Sequence, residues 1–241
     1  MQIRVPGALV LLFLVSAALS AQPALYQDNK KGVLYLGSPA PVIDGQDNDW
    51  AGLLGTSPRQ FVYGKPVSDG DPSAVFVYRS DNKFLYILAE VTDSTANPNE
   101  LPAPLAWRGD SVEVYIGTET SPHEHYLRTD NQIRLVPASK DGPKTMTASV
   151  NDRIVDTERD VKGVATWTDK GYTIEAAIPL RLLQIKGFTL GQSIRVEFQI
   201  NDARTGEREA LVHWASKADN TYFYPNSWGD AVVEALPGEA Q

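Results

Sequence analysis

Hydrophobic and polar residues alternate with a period of two along most of the chain. Residues 73–79 and 84–91 are rich in β-branched and aromatic side chains, and Ser80-Asp81-Asn82-Lys83 separates them. This pattern is typical of two strands joined in a β-hairpin. It recurs in further runs: 110–117, 125–129, 132–136, 164–168, 172–178, 193–201, 209–215 and 231–236. The chain is therefore predicted to contain many short strands.

Turn-forming clusters separate these runs, among them Asp169-Lys170-Gly171 and Arg204-Thr205-Gly206. Short strands divided by such turns predict an all-β fold, a single antiparallel β-sandwich with little helix. The one helical prediction is a short turn over residues 179–184. The proline-rich residues 98–104 are too few for an interdomain linker and are expected to form a loop at the rim of the sandwich.

Strand parity identifies polar side chains that face away from the core, because residues two apart share one face of a strand. In residues 110–116 the valines and Ile116 face one way, and Glu113 faces the other. The same alternation places Gln132 and Arg134 opposite their apolar neighbours. It also places Glu197, Gln199 and Asn201 off the core. Such a face is either an ordinary solvated surface or the polar floor of a binding site.

Aromatic residues in predicted loops favour a binding site. Trp107 follows the proline-rich loop, and Tyr222 belongs to an aromatic-rich loop over residues 219–229. Aromatic rings beside carboxylate, amide and guanidinium groups suit a pyranose, which has apolar C–H faces and a polar hydroxyl edge. Trp214 and Trp228 are instead expected in the core.

Composition narrows the possible functions. The 241 residues are 42% hydrophobic, which is enough for a core and argues against disorder. A formal net charge of -8 disfavours a nucleic-acid partner, since such proteins need a basic face. The absence of cysteine from the sequence excludes disulfides, cysteine-ligated zinc, iron–sulfur clusters and a thiol nucleophile.

The first twenty residues have the pattern of a signal peptide. Arg4 precedes an almost wholly apolar run over residues 8–19, and Ala18-Leu19-Ser20 provides small residues for cleavage after Ser20. About a dozen apolar residues are too few for a membrane span. The sequence thus predicts a signal peptide at 1–20, an N-terminal extension at 21–38 and the sandwich at 39–241. The protein is expected to be exported, periplasmic or secreted, and without cysteine it is not a lipoprotein.

Five ordered segments resemble the signatures of carbohydrate-binding module family 9. Residues 41–50, Pro-Val-Ile-Asp-Gly-Gln-Asp-Asn-Asp-Trp, are similar to its opening P-x-I-D-G-x-x-D-x-x-W. The later segments are 77–87, 107–115, 171–179 and 198–203. The resemblance covers about residues 39 to 236. It implies a DOMON-like β-sandwich that binds a terminal sugar between two aromatic rings.

The resemblance also implies roles for individual residues. Trp107 matches the first ring, while Glu113, Arg134, Gln199 and Asn201 match positions that hydrogen-bond the sugar. Tyr222 falls where well-studied members have a tryptophan, and either Asp219 or Asn220 matches a further polar contact. Family members bind calcium structurally, and the oxygen ligands offered in the early loops are Asp44, Asp47 and Asp49, with Asp69 and Asp71.

Three other functions have weaker support in the sequence. His123 and His125 would share one strand face, but two imidazoles without a third ligand are also typical of an ordinary edge strand. A DOMON-like haem-binding redox module would need axial ligands, and nothing around Met146 suggests a haem pocket, so no haem is expected. A glycosidase needs paired carboxylates, whereas Asp110 and Glu113 point to opposite faces by parity. The predicted function is therefore non-catalytic binding of a mono- or oligosaccharide, with the redox module and a carbohydrate-active enzyme as alternatives.

Overall fold

The computed structural model describes residues 25–26, 31–142, 144–157 and 159–238. The predicted signal peptide lies outside these residues. The strands, in chain order, are β1 Leu25–Tyr26, β2 Gly32–Leu36, β3 Leu54–Gly55, β4 Gln60–Tyr63, β5 Ser73–Ser80, β6 Phe84–Thr92, β7 Ser111–Gly117, β8 Asn131–Pro137, β9 Met146–Val150, β10 Arg153–Val155, β11 Lys162–Thr168, β12 Gly171–Pro179, β13 Ser193–Asp202, β14 Ala210–His213 and β15 Gly229–Ala235. Short 3₁₀-helices span Asn48–Trp50, Ala103–Arg108 and Pro225–Ser227. The predicted all-β class is confirmed.

One curled sheet forms both layers of the sandwich. Its strand order is β10-β9-β8-β7-β13-β15-β2-β5-β6-β12-β11, and β14 pairs with both β13 and β4. Most neighbours are antiparallel, but β2 runs parallel to both β15 and β5, which the antiparallel prediction missed. The layers meet in an apolar core, where Phe76 of β5 stacks on Phe198 of β13 with ring centroids 4.8 Å apart. Burial of these alternate side chains stabilises the sandwich by the hydrophobic effect.

Of three local predictions, two are wrong and the short turn is confirmed. Residues 125–129 form turns rather than a strand. The Asp130 carboxylate accepts a hydrogen bond from the Leu127 amide, which closes a turn before β8. Residues 180–184 form the predicted short turn without becoming a regular helix, and the turn ends where Gln184 takes a positive φ of 55°. The predicted extension contains β2, which lies between two strands of the sheet, so the sandwich begins before residue 39.

The outer face of β5, β6 and β12 is covered by the preceding chain. Ile43, Trp50 and Leu53 pack in one buried cluster with side chains from this face. Glu175 of β12 accepts a hydrogen bond from Trp50 Nε1 at 2.7 Å and from the Gly45 amide at 2.6 Å. We call residues 39–53 the cover segment. It converts an outer sheet face into a second small core.

Two tryptophans predicted to be in the core behave as expected. Trp228 is buried, and Trp214 is partly buried and packs against the main cluster. Trp228 Nε1 donates to the Thr221 carbonyl at 3.0 Å, which satisfies its polar atom. These rings therefore serve packing, in contrast to Trp107 and Tyr222, which are exposed.

Candidate functional site

The outer face of β7, β8 and β13, here called the open face, brings the polar residues singled out by parity together. Glu113 is the cross-strand partner of both Arg134 on β8 and Gln199 on β13. Directly opposed residues on neighbouring strands have side chains on the same face. Three strands thus deliver a carboxylate, a guanidinium and an amide to one place.

Glu113 is the centre of a buried hydrogen-bond network. Its Oε1 accepts from Arg134 Nε at 3.0 Å and Asn201 Nδ2 at 2.9 Å. Its Oε2 accepts from the Tyr115 hydroxyl at 2.6 Å and Gln132 Nε2 at 2.5 Å. Burial opposes ionisation of this carboxyl, but the Arg134 charge and these donors outweigh it and lower its pKa. Glu113 is therefore an ionised residue that orients its neighbours.

Gln199 forms a second centre in the same network. Its Oε1 lies 3.1 Å from the Tyr115 hydroxyl, 3.1 Å from Thr221 Oγ1 and 3.0 Å from His213 Nε2. Its Nε2 donates to Asn201 Oδ1 at 3.0 Å. Burial lowers the pKa of His213 to about 4, so its imidazole is neutral near neutral pH. These bonds hold Gln199 in one orientation.

A cavity of about 370 Å³ lies over this network. Glu113 and Gln199 form part of its lining, and two exposed aromatic rings border it: Trp107, 37% exposed, and Tyr222, 56% exposed. The other lining residues are Pro104, Tyr115, Gln132, Arg134, Asp152, Arg208 and Asp219. The cavity thus joins apolar ring faces to hydrogen-bonding groups, as a sugar site requires.

Trp107 is held in place by its own segment. It lies in the 3₁₀-helix Ala103–Arg108, and Asn99 Nδ2 donates to the carbonyls of Ala106 at 2.8 Å and Asp110 at 3.1 Å. Asn99 thereby fixes the end of the helix to the start of β7. The ring thus stands shortly before the start of β7, in a 3₁₀-helix rather than in the predicted loop.

Arg208 connects several parts of the cavity wall. Its guanidinium lies 4.9 Å from the centroid of the Trp107 ring, a cation–π contact. It also donates to Asp219 Oδ2 at 2.8 Å and Asn201 Oδ1 at 3.3 Å. One side chain thus links the first ring to the loop that carries the second.

Glu197 anchors the loop that carries Tyr222. This buried carboxylate on β13 accepts from the backbone amides of Phe198, Trp214, Ala215 and Ser216. Burial raises its pKa to about 7, although the four amides favour the charged form. The loop therefore leaves β14 from a fixed point.

The structure separates the predicted site residues into three groups. The cavity lining includes Trp107, Glu113, Arg134, Gln199, Asp219 and Tyr222. Asn201 lies beneath it, bonded to Glu113 and Gln199. Asn220 accepts a hydrogen bond from Ser216 Oγ at 3.3 Å and is not part of the lining, whereas Asp219 from the same loop is.

Four lining residues were missed by sequence analysis: Pro104, Tyr115, Asp152 and Arg208. Parity had already placed Gln132 on this face, and it carried a signal for Tyr115 as well, because Tyr115 shares a face with Glu113. Asp152 and Arg208 come from a turn and a loop, where no periodicity applies. Pro104 lies in the predicted rim loop.

The predicted calcium ligands do not meet. Asp44 accepts a hydrogen bond from the Gln46 amide at 3.0 Å, and Asp49 accepts one from the Val42 amide at 2.8 Å. Asp47 interacts with Glu90. Within the described chain, the group of carboxylates close enough to share a metal is Asp93, Asp110 and Asp202, each offering one oxygen within 4.8 Å of the others. Among the described residues, Asp44, Asp47 and Asp49 therefore do not form the common calcium site that the sequence predicts.

The Asp93, Asp110 and Asp202 group fits a calcium ion. All three residues are buried, and in the described part of the chain Asp202 Oδ1 has no hydrogen-bond partner. Burial, with the charge of Asp93 adding to it, raises the pKa of Asp202 to about 6, and burial raises that of Asp110 to about 7. Carboxylate oxygens are the ligands that calcium prefers, and a cation would offset this buried negative charge.

Two other candidate features carry less chemistry. A larger open cleft of about 1070 Å³ borders β5 and β6, and among the described residues that line it Phe61 is the one aromatic side chain. His123 Nε2 lies 2.8 Å from Asp130 Oδ2. The described residues 123–125 form no strand, so His123 and His125 do not share the predicted strand face. Among the described residues, no helix is long and apolar enough to span a membrane.

Comparison with known proteins identifies one family. The family model described as carbohydrate family 9 binding domain-like matches residues 43–236. Exoglucanase XynX of Acetivibrio thermocellus is 29% identical over 82% of this chain and 17% of its own length. Endo-1,4-beta-xylanase A of Thermoanaerobacterium saccharolyticum is 26% identical over 83% of this chain and 16% of its own length. The chain therefore spans about a sixth of the length of these relatives.

Solved structures share the fold. A carbohydrate binding module family 9 structure from Caldicellulosiruptor kristjanssonii in complex with glucose has a TM-score of 0.66 and 24% identity, covering 88% of this chain and 99% of that one. A second, in complex with cellotriose, has a TM-score of 0.64 and 23% identity, covering 90% of this chain and 97% of that one. The predicted β-sandwich of this family is thereby confirmed.

Proposed function

Because this chain belongs to the carbohydrate family 9 binding domain-like family, we propose that it binds a sugar in the cavity on the open face. Trp107 and Tyr222 stack on the two faces of a pyranose ring, and the polar groups between them bind its hydroxyls. The single observation that carries this proposal is the pairing of two exposed rings with an ordered polar floor in one cavity. Glucose and cellotriose, bound in the two similar structures, are the first ligands to test.

The polar floor is preorganised for binding. Tyr115, Gln132 and Asn201 already donate to Glu113, so their orientations are fixed before a ligand arrives. A fixed site loses less side-chain entropy on binding. The ion pair of Glu113 with Arg134 and these hydrogen bonds also explain how polar groups are tolerated at this depth.

Binding takes place without catalysis. A glycosidase of the common kind needs a general acid with a raised pKa, whereas the Arg134 charge and neighbouring donors hold the pKa of Glu113 down against its burial. The cavity's other carboxylates, Asp152 and Asp219, are each paired with an arginine. These pairings support a binding module rather than a glycosidase.

The test is calorimetric titration of the purified protein with glucose and cellotriose, followed by chromatography of the sugars. We expect saturable binding and recovery of intact cellotriose. Absence of binding to a wide glycan panel would overturn the proposal, and cellotriose cleavage that copurifies with the protein would overturn its non-catalytic part.

Calcium is proposed as a structural ion at Asp93, Asp110 and Asp202, with no haem or other cofactor. Binding to the folded state alone at 100 times the dissociation constant adds about 2.7 kcal/mol to stability. We expect calcium to raise the melting temperature of chelator-treated protein, and Asp202→Asn to abolish that increase. Asp49→Asn is the matched control and keeps it. Identical melting curves for metal-free and calcium-loaded parent protein would refute the site.

Export is proposed from the pattern of residues 1–20, which places the protein in the periplasm or outside the cell. Cell fractionation with N-terminal sequencing tests this. We expect the exported protein to begin at Ala21, and an intact Met1 in the cytoplasmic fraction alone would contradict it.

A further inference from the structure

Asp152 is a carboxylate at the cavity that the sequence did not point to. Its Oδ1 accepts from Arg134 Nη1 at 3.0 Å, and Arg134 also donates to the Ala103 carbonyl at 3.0 Å. The Arg134 side chain is 4% exposed, whereas that of Asp152 is 60% exposed. The buried guanidinium thus holds an exposed carboxylate at the cavity.

The turn that carries Asp152 favours a different residue. Asn151 and Asp152 join β9 to β10, where Val150 pairs with Arg153, and their φ values are 50° and 60°. A two-residue turn with positive φ at both positions is the kind in which Asn-Gly is preferred, because glycine adopts positive φ without steric cost. Backbone geometry therefore gives no reason for aspartate at this position.

The free oxygen of Asp152 suits a ligand hydroxyl. Within the described chain Arg134 engages Oδ1 and no group donates to Oδ2. Asp219 is similar, since Arg208 binds its Oδ2 at 2.8 Å. The cavity thus carries two partly exposed carboxylates, each held by an arginine that also contacts the floor or the first ring.

We propose that Asp152 contacts the ligand directly and, with Asp219, restricts the cavity to uncharged sugars. Oδ2 of the Asp152 carboxylate accepts a hydrogen bond from a sugar hydroxyl, while Arg134 fixes the orientation of the carboxylate. Including Glu113, three carboxylates face two guanidinium groups in the lining, so a sugar bearing its own carboxylate meets repulsion. This inference rests on the proposed function and adds a residue and a ligand class to it.

The test compares Asp152→Gly and Asp152→Asn with the parent protein by calorimetry, using glucose, cellotriose and glucuronic acid. We expect Asp152→Gly to weaken binding of the uncharged sugars at least tenfold, roughly the loss of one hydrogen bond to a charged group. Its melting temperature should be unchanged or higher, because glycine relieves the positive φ. A residue needed only for the fold would instead lower it.

Asp152→Asn separates charge from shape. It keeps an oxygen for Arg134 but removes the charge, so the ratio of glucuronic acid to glucose affinity should rise relative to the parent. Gln184→Gly is the matched control, because Gln184 also has a positive φ and accepts from an arginine, Arg128, but does not line the cavity. It should bind sugar as the parent does.

The outcomes are distinguishable. If the parent binds glucose or cellotriose and Asp152→Gly binds equally well, the role of Asp152 is refuted and the proposed function stands. If the parent binds glucuronic acid as tightly as glucose, the restriction to uncharged sugars is refuted. If the parent binds no sugar, the proposed function fails and this inference fails with it.

Discussion

The two outer faces of the sandwich carry similar chemistry and differ in what lies over them. On the open face, buried Glu113 accepts from the Tyr115 hydroxyl, while Trp107 borders a cavity. On the opposite layer, buried Glu175 accepts from Trp50 Nε1, and the cover segment packs directly over it. The same elements, a carboxylate and an aromatic donor, build a site on one face and a second core on the other.

This difference shows what determines function on such a sheet. Strand parity puts Glu113 and Glu175 on outer faces by the same rule. Whether an outer polar group is available to a ligand depends on distant chain, here residues 39–53, which lie more than 120 residues before Glu175 in sequence. Four predictions test how separate the two faces are.

Removing the cover's main aromatic side chain should have the largest effect, and on stability. Trp50→Ala deletes a fully buried ring and its bond to Glu175, for an expected loss of about 3–5 kcal/mol. Denaturant unfolding measures it. Trp50→Phe keeps most of the volume and should lose less. Sugar affinity of the folded fraction should be unchanged, and a large loss of affinity would show that the faces are coupled.

Removing the first ring of the open face should affect binding instead. Trp107→Ala deletes the stacking surface, with an expected loss of about 2–4 kcal/mol in sugar binding, measured by calorimetry. Its free energy of unfolding should change little, because the ring is partly exposed. A folded Trp107→Ala protein that binds sugar as well as the parent does would refute stacking of the sugar between Trp107 and Tyr222.

Acid should change the stability contributions of His213 and Glu175, one from each face, in opposite directions. The pKa of His213 is lowered by burial from 6.5 to about 4. Its contribution to the free energy of unfolding is therefore complete above pH 6.5 and is lost as pH falls through 4. This loss approaches about 3 kcal/mol. Burial raises the pKa of Glu175, so its contribution is instead lost as pH rises.

The measurement is stability against pH for the parent and for His213→Gln. The variant should be less sensitive between pH 6.5 and 4. An unchanged pH profile would show that His213 takes no part in acid sensitivity.

The second ring should give the smallest effect. Tyr222→Ala should weaken sugar binding by about 0.5–1.5 kcal/mol, the range for an aromatic contact. Tyr222→Trp should hold or improve affinity, because a larger ring covers more of a pyranose face. Phe223→Ala is a neighbouring control, since Phe223 is also exposed but does not line the cavity. If Tyr222→Ala, Tyr222→Trp and Phe223→Ala all bind sugar with equal affinity, Tyr222 does not contact the sugar.

Sequence reasoning was most successful where side chains obey strand periodicity. The fold class and the outward placement of Glu113, Arg134 and Gln199 follow from alternation. The strand predicted at 125–129 failed because a short polar–apolar run also suits a turn closed by Asp130. Strand β2 was missed because it was assigned to an extension outside the domain.

Features assembled by distant segments could not be predicted. Asp110 and Asp202 lie at the ends of the paired strands β7 and β13, and Asp93 joins them from the end of β6, which is not a neighbour of either strand. Asp44, Asp47 and Asp49 are close in sequence but form no such group among the described residues. Asp152 enters the cavity through a turn. Proximity of this kind depends on which distant strands become neighbours and on how the sheet curls, and the alternation within a single strand specifies neither.

The four amides gathered by Glu197 have a consequence for time scale. Amides that are buried and hydrogen-bonded exchange with deuterated solvent only when the structure opens. Phe198, Trp214, Ala215 and Ser216 should therefore exchange slowly and together, although Trp214, Ala215 and Ser216 lie outside any strand. Such protection would mean that the segment leading to Tyr222 is as long-lived as the sheet itself, so that the residence time of a ligand is set by its own contacts rather than by loop opening.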